Sequence, residues 1–286
     1  MVITDNILFI SIMAMGGLGI FFSVFLALAD RRFGVQEDPR IEEALEILPN
    51  INCGACGLPG CHNFAEKVVG GEMPINACLP GGQEVADALS KLLGLESQTS
   101  KRVTAVVFCK GGKKKAVNSA IYYGEGTCEA ATLTGGGKGC IYGCLGYGDC
   151  VRVCPFDAIS MDGDGLPQVF YDVCVACGKC VDACPRNLIE LHPEDHKLFV
   201  YCKNKDKGAA ARKICKVACI ACGICVRNCP VEGGIEVVDN LAIVNYEKAP
   251  NMEEPTKKCP TKCILNDVEK DNTRDNFLAC LKKEAV

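Results

Sequence analysis

The chain has 286 residues, 23 of them cysteine, no tryptophan and a net charge of −4. That length allows one to three domains, and a near-neutral charge without a long single-sign tail gives no pointer to nucleic acid. So high a cysteine share demands disulfides or metal; the spacings are those of metal ligands and no cleavable secretory signal is present, so bound clusters in a reducing compartment are expected.

Ile7 to Ala29 is free of charge, and as a helix it would be roughly 35 Å long, enough for a bilayer core. Residues 1–30 therefore read as a transmembrane anchor. A signal peptide is the rival, but it should carry a basic leader and a shorter apolar stretch. Arg31 and Arg32 mark the cytoplasmic end, which predicts a single-pass protein of the cell (inner) membrane, N-terminus outside and everything later cytoplasmic. Gly16, Gly17 and Gly19 either admit a neighbouring helix or merely tolerate lipid.

Residues 31–97 read as a small helical domain. Asp38-Pro39 starts a helix, as N-cap and N1. Cys53, Cys56, Cys61 and Cys78, in the order C-x2-C-x4-C-x16-C, then suit one self-contained [4Fe–4S] site, with zinc as the alternative. His62 reads as a neighbour of that site, not a ligand. Gln83 to Leu93 has helical periodicity, and 97–100 reads as a linker.

Residues 101–192 form the next unit. Val103 to Phe108 is strand-like and ends at Cys109. The lysine-rich loop Lys110 to Lys115 lacks a phosphate-binding pattern. Cys144, Cys150 and Cys154-Pro155 fit a ferredoxin run in which Tyr147 stands at the middle cysteine position; Cys140, four residues upstream of Cys144, is the expected substitute. A hairpin over 158–171 leads to Cys174, Cys177, Cys180 and Cys184-Pro185, the unmodified run C-x2-C-x2-C-x3-C-P. Leu188 to Leu191 is another strand.

Residues 198–286 repeat that plan. FVYCK at 199–203 echoes VVFCK at 106–110, and Cys215-x3-Cys219 echoes Cys140-x3-Cys144. Cys219, Cys222, Cys225 and Cys229 form a second unmodified run, but in its partner half Ala249, Met252 and Pro255 replace cysteines, leaving Cys259-Pro260 and Cys263.

In a two-cluster ferredoxin the fourth cysteine of each run binds the other cluster. That rule groups Cys154 with Cys174, Cys177 and Cys180; Cys184 with Cys140, Cys144 and Cys150; and Cys259 with Cys219, Cys222 and Cys225. With the N-terminal group this makes at least four clusters. Cys229 with some of Cys202, Cys215 and Cys263 forms a fifth, or these are small buried hydrophobes. Cys109 and Cys128 have no expected role, and Cys280 is expected to bind nothing.

NCGACGLPGCHNFAEKVVGGEMPINACLPGG, GCIYGCLGYGDCVRVCPFDAI and CVACGKCVDACPRNLI together resemble the B subunit of the Rnf complex, over nearly the whole chain. The unit at 199–263 resembles its longer form. The resemblance implies an electron-transfer subunit of a membrane ion-translocating ferredoxin:NAD oxidoreductase, taking electrons from soluble ferredoxin. It implies integral-membrane and flavin-bearing partner subunits, with no flavin or NAD bound by this chain. A relay subunit of another membrane oxidoreductase and a membrane-anchored iron–sulfur sensor are the alternatives.

The expected fold class is α+β: a transmembrane helix, a small helical [4Fe–4S] domain and tandem bacterial-ferredoxin-like units. Few aromatics and many thiols imply folding coupled to metal. Chelating iron should abolish most native far-UV circular dichroism of the cysteine-rich part; retention of the native spectrum would refute that coupling.

Overall fold

The computed structural model describes residues 2–33, 38–96, 101–248, 252–266 and 273. Two compact units are formed, Met1–Glu43 and Ala44–Val286. Cys280 and the linker expected at 97–100 lie outside the described residues.

In the first unit, helix α1 spans Val2–Phe33. Among the described residues no helix is long and apolar enough to cross a membrane. The transmembrane helix that hydropathy predicts at residues 7–29 is thus not borne out, and the single-pass topology loses its basis.

The second unit begins with short helices. Beyond α2 (Pro39–Ile47), helices α3 (Cys61–Val69) and α4 (Gly82–Leu93) turn Phe64, Ala65, Val68, Ala86 and Leu89 inward. Strand β1 (Val103–Val107) then pairs antiparallel with β4 (Ile189–Pro193), Val107 facing Ile189. Between these strands lie α5 (Cys128–Leu133), α6 (Asp149–Arg152), the hairpin of β2 (Ile159–Met161) and β3 (Pro167–Val169), and α7 (Lys179–Asp182). The plan then recurs. Strand β5 (Leu198–Val200) pairs with β8 (Ile264–Asn266) around α8 (Gly208–Ile214), α9 (Ile224–Arg227), the hairpin of β6 (Ile235–Val238) and β7 (Leu241–Val244), and α10 (Glu254–Lys257).

Each intact cysteine run bends through the same left-handed positions: Ala176 (φ 55°) and Gly178 (φ 80°), then Ala221 (φ 53°) and Gly223 (φ 66°). Glycine adopts that region without the Cβ penalty. The reversal starts the four-residue helices α7 and α9, whose Cys180 and Cys225 are buried.

Side chains alternate across a strand. On β1, Ala105 and Val107 pack with Cys150, Cys180, Ile159, Val169 and Ile189. On β5, Leu198 and Val200 pack with Cys219, Cys225, Ile235 and Ile264. The opposite faces supply Val106, Phe108, Phe199 and Tyr201, which form one cluster, with the Phe108 and Phe199 rings edge-on at 6.1 Å. The two ferredoxin-like halves are therefore joined back to back. Phe199→Ala should cost about 3–5 kcal/mol, read as an earlier loss of visible cluster absorbance in urea. Exposed Val237→Ala should change stability by no more than ~0.5 kcal/mol.

Candidate metal centres

Cys53, Cys56, Cys61 and Cys78 line a cavity of about 340 Å³ with Phe64, Pro49 and Pro80. Cys61 opens α3 and its N–H donates to Asn52 Oδ1 at 2.8 Å. Burial, supplemented by the charges of Cys61, Cys53 and Cys56, holds the Cys78 thiol above its ordinary pKa.

Cys154, Cys174, Cys177 and Cys180 form the next group. Burial pushes Cys180 up to about 12, and the charges of Cys174, Cys177, Cys150 and Cys154 act in the same direction. The Ala158 N–H donates to Cys154 Sγ at 3.3 Å. Cys177 is raised by burial first and then by Cys154, Cys53 and Cys174, so Cys53 of the helical domain lies within electrostatic reach.

A cavity of about 420 Å³ is lined by Cys144, Cys150 and Cys184, as expected, but its fourth thiol is Cys128. Thr127 caps α5 by accepting from the Ala130 N–H at 3.2 Å. Asp149 Oδ2 accepts from the N–H groups of Cys128 (2.8 Å) and Glu129 (3.1 Å), fastening that helix start beside Cys150. Cys140, expected here, is elsewhere. Arg186 donates to its carbonyl at 2.9 Å, while its thiol lines a separate cavity. Tyr147, at the missing cysteine position, packs edge-on against Tyr122 with ring centroids 5.6 Å apart.

Cys219, Cys222, Cys225 and Cys259 line a cavity of about 310 Å³, and Cys263 joins them. Cys263 stands four residues after Cys259, the place of Ala158 after Cys154 and Leu188 after Cys184, and like them it is 2% exposed. Its Sγ is 3.7 Å from Cys259 Sγ, and hydrogen bonds from it hold Cys259 and Cys219 below the ordinary thiol range.

The remaining expected group does not assemble. Cys229 donates to the Val231 carbonyl at 3.0 Å and lies 3.8 Å from Met252 Sδ. Cys202 and Cys215 instead line a cavity of about 350 Å³ with Cys109 and Cys140. The repeated VVFCK and FVYCK strands are the sequence signal that pairs Cys109 with Cys202. Nothing local marks Cys128, which has no cysteine within ten residues.

Burial pushes Cys144, Cys150 and Cys202, like Cys180, up to about 12, and Cys225 to about 11. Such thiols keep their protons at neutral pH until a positive metal core displaces them. Among the described residues no group of three or more His, Cys, Asp or Glu could hold one metal ion. The thiols instead line cavities, a donor set suited to the corners of an iron–sulfur cube.

A family described as a putative Fe-S cluster matches residues 48–80, and two described as 4Fe-4S dicluster domains match 140–189 and 173–232. The chain is 46% identical to the B subunit of the Na(+)-translocating ferredoxin:NAD(+) oxidoreductase complex of Acetobacterium woodii, covering 92% of this chain and 79% of that protein. It is 40% identical to the proton-translocating counterpart of Clostridium ljungdahlii, covering 91% and 92%. With the B subunit of the ion-translocating oxidoreductase complex of Methanosarcina acetivorans it shares 38% identity, covering 91% and 98%.

Proposed function

The chain belongs to the family of B subunits of ion-translocating oxidoreductase complexes, and on that basis we propose how its own residues serve electron transfer. It is an iron–sulfur electron-transfer subunit of such a complex, with multiple [4Fe–4S] clusters. Four thiol sets each hold one: Cys53, Cys56, Cys61 and Cys78; Cys154, Cys174, Cys177 and Cys180; Cys128, Cys144, Cys150 and Cys184; Cys219, Cys222, Cys225 and Cys259. Each bound cluster supplies reversible one-electron storage at a potential set by charge, exposure and hydrogen bonds to sulfur. The chain provides those bonds through backbone N–H groups, as Ala158 does to Cys154 and Leu188 to Cys184 at 3.4 Å.

Adjacency supports the relay. Cys53 lies within electrostatic reach of Cys177, and Cys150 packs in one cluster with Cys180, which supports a series of three of the sets. The donor is a reduced soluble ferredoxin, by likeness to relatives whose names include it. Ferredoxins are acidic as a rule, and the exposed Lys113, Lys114, Lys115, Arg212, Lys213 and Lys216 offer a complementary face. The Lys216 N–H donates to the Lys115 carbonyl at 2.9 Å, so the two basic stretches adjoin. Lys203 and Lys205 are instead engaged by Glu190 and Asp239. Membrane association follows from the ion-translocating complexes to which its relatives belong.

Two experiments test this reading. Cys184→Ala and Cys128→Ala should disturb the same electron paramagnetic resonance signal and spare the one from Cys174, Cys177 and Cys180; separate effects would reject the shared site. Lys113→Glu, Lys114→Glu and Lys115→Glu together should slow ferredoxin oxidation about tenfold at low salt, the difference fading as salt rises. An unchanged rate would remove the docking face.

A further inference from the structure

Cys109, Cys140, Cys202 and Cys215 come from four separate segments, and Cys109 and Cys202 lie at corresponding strand ends. Cys109 lies outside all three matched family segments. Yet Cys109 follows β1 as Cys202 follows β5, and Cys140 precedes Cys144 by the same interval as Cys215 precedes Cys219. The set is two pairs of repeat-equivalent residues, each pair with one member from each ferredoxin-like half.

The halves are stitched together around this cavity. Ala116 and Cys215 form an antiparallel bridge, the Val117 N–H donates to the Ile214 carbonyl at 2.8 Å, and Lys216 bonds to Lys115. The cavity, about 350 Å³, falls between those of about 310 and 420 Å³ lined by ferredoxin-run cysteines. Nearby N–H groups also repeat: Cys144 donates to Cys109 Sγ at 3.4 Å and its counterpart Cys219 donates to Cys202 Sγ at 3.3 Å. Asn204, 1% exposed, donates its backbone N–H to Cys202 Sγ at 3.4 Å and its amide to Cys140 Sγ at 3.6 Å. At the equivalent Gly111, an added Cβ would sit 2.8 Å from Cys215 Sγ, so a side chain there would crowd the thiol. Thiols serving only as small hydrophobes would not need four sulfurs around one cavity with amide donors to three of them.

We propose that Cys109, Cys140, Cys202 and Cys215 hold a fifth [4Fe–4S] cluster, on the pseudo-two-fold between the ferredoxin-like halves. Each thiol releases its proton to solvent as its sulfur binds iron. The inference rests on the four-site reading above and supplies what that reading lacks. Cys144 belongs to a site of the first half and donates to Cys109; Cys219 belongs to the site of the second half and donates to Cys202. The fifth site therefore stands between them and closes the one gap in the series.

The test uses the full chain reconstituted anaerobically with ferrous iron and sulfide, counting both per chain and recording paramagnetic resonance after reduction. At four irons per cubane, about twenty irons are expected, against about sixteen for four sites. The double variants Cys109→Ala/Cys202→Ala and Cys140→Ala/Cys215→Ala should each lose about four irons and one resonance signal while keeping the far-UV spectrum. A wild-type count near sixteen overturns the fifth cluster, and needs no variant to fold. Unchanged iron in both double variants also overturns it. Cys150→Ala and Cys222→Ala separate the two readings: if these change their own signals while the double variants change nothing, only the fifth site fails; if they too change nothing, the four-site reading fails with it.

Discussion

The inner faces of this fold close on sulfur as well as on apolar side chains, and that constraint governs the rest. Ala105, Val107, Leu198 and Val200 meet buried cysteines. Among the described residues each sheet has only two strands, and an isolated pair of that size is marginal in water. The strands persist because thiols on α6, α7 and α9 surround a space that iron and sulfide fill. Burial that raises Cys144, Cys150, Cys180 and Cys202 makes those sulfurs poor anions by themselves, which ties folding and metal loading into one event.

Strand alternation turns that local arrangement into an assembly. A strand with one side on the cysteines has its other side free, and in β1 and β5 that other side is Val106 with Phe108 and Phe199 with Tyr201. Packing these aromatics against each other brings the two strand ends together. The residues that follow are Cys109 and Cys202, so the same contact that joins the halves also places cysteines of both beside one cavity. The basic loops carrying Lys115 and Lys216 adjoin there too, which puts the candidate docking face beside the join.

Cysteines grouped on one tight loop were legible in the sequence. Cys174, Cys177 and Cys180, like Cys219, Cys222 and Cys225, are fixed by a few backbone angles including the left-handed turns at Gly178 and Gly223, so spacing alone conveys their geometry. Hairpins, flanking strands and the duplication were legible for the same reason, since period and repeat are local properties. The membrane-crossing helix read from hydropathy over 7–29 was not borne out, since among the described residues no helix is long and apolar enough to cross a membrane.

Which cysteines from distant segments share a cavity was visible only in the tertiary structure. Sequence nearness favoured Cys140 as the partner of Cys144, but Arg186 holds the Cys140 carbonyl while its thiol lines another cavity, and Asp149 anchors the start of α5 so that Cys128 lines the cavity of Cys144, Cys150 and Cys184. Cys263, spaced like a ligand after Cys259, occupies the buried position of Ala158 and Leu188. Which cysteines belong to cluster loops can be read from the residues alone, because loop geometry is written within a dozen positions. Which loops share a cavity depends on side-chain anchors and strand packing between segments far apart in the chain.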